Sequence, residues 1–96
     1  MQGGWVYIMA NRPFGSLYVG VTNDLARRAW QHRTGCGGSF TGRYRLTMLV
    51  YSEWHEEIVR AIQRETSIKR WPRKWKLNLI EMQNPEWRDM YEILLA

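Results

Sequence analysis

Cysteine is almost missing from this 96-residue chain, in which Cys36 stands alone. One thiol can close no internal disulfide and build no thiolate cluster for zinc, so a reducing compartment fits best and Cys36 reads as a free thiol in a Gly-rich turn. No stretch approaches the roughly 20 apolar residues of a membrane span. The opening "MQGGWVYIMANR" has neither the leading positive charge nor the long apolar run of a secretory signal. The expected location is the cytoplasm, with no membrane partner. Internal repeats and low-complexity tracts are also missing. The glycine-rich "GCGGSFTGRYR" lacks the lysine and spacing of a phosphate-cradling nucleotide loop.

What is present is the composition of an ordered domain, with 45% hydrophobic and 24% charged residues. The length suits one domain, residues 1–96, with a modest core. A net charge of +5 favours a polyanionic partner such as nucleic acid.

Aromatic and β-branched residues predict strands over Trp5–Ala10 and Ser16–Val21, joined by the turn residues of "NRPFG" into a hairpin. Leu46–Ser52 reads as a third strand. Thr22 or Asn23 can cap a helix over Asn23–Thr34, with no breaker until Gly35. A second helix is expected over Trp54–Trp71, ended by Pro72, and "RKWKLNLIEM" allows a short helix or an extended segment. A last helix is expected over Pro85–Leu95, with Asn84 as N-cap and Pro85 at its first position. The expected fold is therefore α+β: a small three-stranded antiparallel sheet flanked by helices, in the order ββαβαα.

Two helices carry charge where apolar residues belong. Leu25, Arg28, Ala29 and His32 follow the i, i+3, i+4, i+7 spacing, so Arg28 and His32 share the face that meets the sheet. Glu65 interrupts the stripe of Ala61, Ile62 and Ile68. An Arg28–Glu65 ion pair at the rim of the core, with His32 hydrogen-bonded nearby, is the structural explanation. The functional one adds Tyr7 and Tyr18 of the hairpin. Two phenols, a guanidinium, an imidazole and a carboxylate would then meet in one cleft.

With "WVY", "YVG", the helix "NDLARRAWQH" and the later "RAIQRETSIKRW", the sequence resembles the GIY-YIG nucleases, especially their small stand-alone members. The likeness covers most of the chain and implies the fold just described. It implies Tyr7 and Tyr18 as the motif tyrosines, Arg28 as the helix arginine, His32 at a position held by His or Tyr in relatives, and Glu65 as the carboxylate for Mg²⁺, or Mn²⁺ in its place. Arg27 competes with Arg28 but points away from the His32 face. The glycine of the first motif is Trp5 here, which alters strand packing without removing a catalytic group. The implied activity is metal-dependent phosphodiester hydrolysis, on DNA in preference to RNA. With no second domain in the sequence to read a site, cleavage is expected to be directed by nucleic-acid structure or by a protein partner.

Binding residues are sought in "SIKRWPRKWK", where Lys69, Arg70, Arg73, Lys74 and Lys76 alternate with Trp71 and Trp75, a pattern suited to gripping phosphates and stacking on unpaired bases. A solvated basic face over core tryptophans gives the same pattern. Arg43 and Arg45 beside the glycine-rich loop form a second candidate contact. Two other functions compete: a non-catalytic nucleic-acid-binding module that keeps the fold, and a protein-interaction domain using surface tryptophans.

Overall fold

The computed structural model describes residues 3–35 and 45–95. Cys36, Arg43 and most of the glycine-rich loop lie outside them. Three strands, β1 (Gly4–Ala10), β2 (Leu17–Thr22) and β3 (Met48–His55), form one sheet in the order β2-β1-β3, with both pairings antiparallel. Four helices follow the hairpin and β3: α1 (Leu25–Thr34), α2 (Ile58–Arg70), α3 (Arg73–Gln83) and α4 (Tyr91–Leu95). The expected antiparallel sheet flanked by helices is the fold observed.

The central strand explains the two-sided core. Alternate residues of a strand face opposite sides, so Val6, Ile8 and Ala10 join Val19, Tyr51, Ala61, Ile68 and Ile80 on the side covered by α2 and α3. Tyr7 and Met9 join Leu25, Leu46 and Leu49 on the other side, where α1 and α4 pack. The β1–β3 register shifts between Ile8 and Met9, whose partners are Tyr51 and Leu49. Val50 is the extra residue, and the bulge lets Val50 and Tyr51 both enter the first cluster.

The starts of β1 and β3 and both ends of β2 shift by one or two residues from the sequence reading, and three further boundaries differ for reasons the structure shows. β3 runs on to His55 because Gly4 and Trp5 offer ladder partners to His55 and Trp54, so α2 starts at Ile58 rather than at Trp54. α1 starts at Leu25 because Asp24, rather than Thr22 or Asn23, is its N-cap, accepting the Arg27 N–H at 3.2 Å. Gly35 ends that helix at φ 82°, a left-handed conformation that suits glycine.

The third difference lies at the C-terminal end, where Pro85 does not open a helix. Asn84 instead donates from Nδ2 to the Val50 and Arg88 carbonyls and accepts the Arg88 N–H, holding a turn in which Trp87 adopts φ 54°. The last helix is therefore only Tyr91–Leu95, and Asp89 Oδ1 accepts the N–H groups of both Tyr91 and Leu49 at 3.1 Å. The segment left open between helix and extended chain is the helix α3.

Candidate active site

The hairpin sets the first two groups. Tyr7 pairs with Gly20 across β1–β2, and Tyr18 lies two residues before Gly20, so both phenols face the α1 side. Tyr7 is buried and its ring lies over Gly20: a Cβ there would stand 2.5 Å from the phenol oxygen and 2.6 Å from Cζ. The glycine of "YVG" is thus the floor on which Tyr7 rests. The rings of Tyr7 and Tyr18 are 6.3 Å apart, and His32 closes the triangle at 5.6 and 5.4 Å from them.

α1 supplies the next two. Arg28 and His32, one turn apart on its inner face, both reach the Tyr7 oxygen: His32 Nε2 lies 2.9 Å away, and Arg28 Nε donates to it at 3.4 Å. The arginine can only donate, so the Tyr7 oxygen accepts there, and the Tyr7 proton goes to His32 Nε2 in the tautomer that carries the imidazole proton on Nδ1. Gln31 steadies the guanidinium by accepting from Arg28 Nη1 at 3.0 Å. Sequence reasoning passed over Gln31, whose i+3 spacing from Arg28 was its signal. Arg27 is exposed, while Arg28 is the half-buried arginine at the phenol. An open cleft beside Arg28 is lined by Thr22, Asn23, Asp24, Arg27 and Gln31.

α2 adds the carboxylate. Glu65 has only 12% of its side chain exposed, and its Oε2 is 2.5 Å from Lys69 Nζ. Lys69 in turn lies 5.9 Å from the Tyr18 ring centre, which brings this pair to the edge strand β2 beside the phenols. The sheet-rim ion pair between Arg28 and Glu65 is not the arrangement found. Glu65 pairs with Lys69, and Arg28 with Tyr7 and Gln31.

Burial sets the electrostatics. It pushes the Tyr7 phenol up to about 12, against the Arg28 hydrogen bond and with the nearby Glu65 carboxylate adding to the rise. The Tyr7 hydrogen bond raises Arg28. Burial, aided by the Arg28 charge, lowers His32 to about 4. His32 Nδ1 has no hydrogen-bond partner among the described residues. At neutral pH the trio is a neutral phenol, a neutral imidazole and a cation.

Among the described residues no three His, Cys, Asp or Glu side chains converge. A cation at this place would therefore be held by Glu65, with water and substrate oxygens completing its shell, a donor set that suits Mg²⁺. Lys69 occupies the carboxylate and would have to yield it.

Of the basic tract, Lys69 belongs to this corner, while Arg73 donates from Nη2 to the carbonyls of Phe14 and Gly15 at 2.7 Å each. Arg73 thus clasps the β1–β2 turn, where Phe14 has φ 58°. Arg70 and Lys74 are exposed and Lys76 is half-buried. Trp71 packs on the α2 side of the core beneath Arg64, whose Cζ is 5.2 Å from its ring, and Trp75 meets it edge-on.

Residues 3–78 match the model of the GIY-YIG catalytic domain. The chain belongs to the GIY-YIG family. It is 38% identical over 81 residues to a UPF0213 protein of Staphylococcus aureus, covering 84% of this chain and 98% of that one. A UPF0213 protein of Staphylococcus saprophyticus is 36% identical over 80 residues, covering 83% and 96%. The solution NMR structure of a UPF0213 protein from Bacillus halodurans superposes with a TM-score of 0.56 at 27% identity, covering 93% and 94% of the two chains. In GIY-YIG terms this is a nuclease-type domain. Among its described residues no helix is long and apolar enough to cross a membrane.

Proposed function

We propose that this GIY-YIG protein is a metal-dependent endonuclease that hydrolyses phosphodiester bonds, in DNA in preference to RNA, and selects its substrate by nucleic-acid structure or through a protein partner. The observation that carries this reading is the Tyr7 oxygen, placed between His32 Nε2 and Arg28 Nε.

A phenol near 12 is a poor base by itself. Joined to a neutral imidazole it need never become a free phenolate. As the water oxygen bonds to phosphorus and the bond from phosphorus to the leaving oxygen breaks, Tyr7 takes the water proton at its oxygen while its own proton passes to His32 Nε2, and the leaving oxygen departs with the electron pair and takes a proton from solvent. Arg28, cationic throughout, grips the phosphoryl oxygens and stabilises the charge that develops on them. Gln31 fixes its orientation. Glu65 would hold Mg²⁺, which when bound would supply further positive charge to the phosphate. Lys69 neutralises Glu65 until then.

The test is incubation of the purified protein with single-stranded, duplex, flapped and branched DNA and RNA, with and without Mg²⁺ or Mn²⁺. Cleavage that needs the metal is expected. Tyr7→Phe should lower kcat by about 10²- to 10⁴-fold, the range for a positioned acid–base group. Glu65→Gln should abolish cleavage while binding survives or tightens. Arg28→Ala should weaken both. No cleavage of any substrate, with binding indifferent to Glu65→Gln, would make the protein a non-catalytic nucleic-acid-binding module.

A further inference from the structure

The sheet face that carries Tyr7 holds a second row of side chains with no part in the chemistry above. Tyr7 has Gly20 on one side and Ser52 on the other; Trp5, two residues earlier on the same face, has Thr22 and Trp54. Thr22 lines the cleft that contains Arg27 and Arg28, so the indole row adjoins that cleft directly. The rings of Trp5 and Trp54 are 5.2 Å apart and inclined at 60°. Trp54 rests against the backbone of Gly3, where any side chain would collide with its six-membered ring. Backed by Gly3 and Trp5, it still has 46% of its surface exposed. An indole held that firmly and left that open is a preorganised aromatic surface.

We propose that Trp54, backed by Trp5, stacks an unpaired nucleobase of the strand whose phosphate is gripped at Arg28. This rests on the nuclease reading of the site. Two observations select the occupant. The neighbouring cleft offers the guanidiniums of Arg27 and Arg28, which attract a polyanion and give an apolar peptide nothing to bind. The two rows are separated by two strand residues, about 6.7 Å, nearly twice the roughly 3.4 Å between stacked bases. A base on Trp54 is therefore unstacked from its neighbour at the phosphate, as a single strand, flap or bulge allows and an intact duplex does not. Of the other two exposed tryptophans, Trp75 sits on α3, which covers the opposite face of the sheet, and Trp30 sits on α1.

The test is a titration in EDTA, where hydrolysis does not intervene, following tryptophan fluorescence and the anisotropy of a labelled oligonucleotide. The probes are a single-stranded octathymidylate, the same strand with one abasic position at each site in turn, and a blunt duplex. Trp54→Ala should weaken single-strand binding roughly 5- to 150-fold, the loss of one base–aromatic stack. Duplex affinity should stay within about twofold, Trp54→Phe should restore most of the loss, and one abasic position should mimic it. Binding of the single strand that is unaffected by Trp54→Ala, or weakened equally for duplex, would overturn the platform and leave the nuclease reading intact. Wild-type protein that binds no probe would overturn both. Self-association of the wild type that Trp54→Ala abolishes, with nucleic-acid affinity unchanged, would assign the surface to a second copy of the chain.

Discussion

Gly20→Ala is the smallest change that separates the fold from the site. The added methyl would lie 2.5, 2.6 and 2.8 Å from the Oη, Cζ and Cε1 of Tyr7. Those atoms belong to a ring buried between Tyr18, His32 and the sheet, so the ring cannot swing aside freely. Forcing a methyl into such a core costs about 1–3 kcal/mol. For a domain of this length that lowers Tm by roughly 4–24 °C. The displaced phenol also leaves His32 Nε2 and Arg28 Nε, so cleavage should fall towards the Tyr7→Phe level even well below the new Tm. Thermal melting followed by far-UV circular dichroism gives the first number and steady-state cleavage at 15 °C the second. Tyr7→Ala removes the obstacle, so adding Gly20→Ala to it should cost far less than Gly20→Ala alone, a coupling that a double-mutant cycle reads directly. A variant that melts within 2 °C of wild type and keeps full activity would refute the argument, because Tyr7 would not then rest on Gly20.

His32 makes a prediction about acid. Its folded value of about 4 lies below the ordinary 6.5, so the unfolded chain binds more protons between these limits. Its contribution is fully present above pH 6.5 and is lost as pH falls to about 4, on the order of 3 kcal/mol in all. Urea unfolding of wild type and His32→Gln at pH 7.5 and 4.5 should show a steeper loss for wild type, and parallel losses would sink the assignment. The cleavage profile should likewise lack a break near pH 6.5. Arg73→Ala should lower stability by about 1–2 kcal/mol, since two carbonyls of a strained turn lose a cationic donor. The log–log salt slope of nucleic-acid binding should be unchanged, whereas loss of a true phosphate contact reduces it by about 1.

The strands and α1 were legible because their signals are local. Alternation, a turn-rich break and a C-terminal glycine are written within a dozen residues. The end of β3 was not, because Trp54 and His55 are strand residues only by virtue of pairing with Trp5 and Gly4, some fifty positions earlier. The same holds for Asn84. Followed by proline it carries the signature of a helix cap, but its amide is used by the Val50 carbonyl of a distant strand. Long-range hydrogen bonds overrode a sound local pattern in both cases.

At the site, the one-turn spacing of Arg28 and His32 announced an inward guanidinium and imidazole, and the structure brings both to a single oxygen. What spacing could not say is which partner each charged group takes. A guanidinium reads the same in sequence whether it clasps two carbonyls, as Arg73 does, stacks on an indole, as Arg64 does on Trp71, or waits in an open cleft beside a phenol, as Arg28 does. Those fates have opposite consequences. Arg73 and Arg64 are held by groups that substrate does not replace, so their charge steadies the fold. Arg28 is held by a neutral phenol and a neutral amide, which satisfy its N–H groups without cancelling its charge. Of the three it is therefore the one placed to exchange those weak contacts for a phosphate, and Lys69, held by a carboxylate, is the cation that must give way beside it.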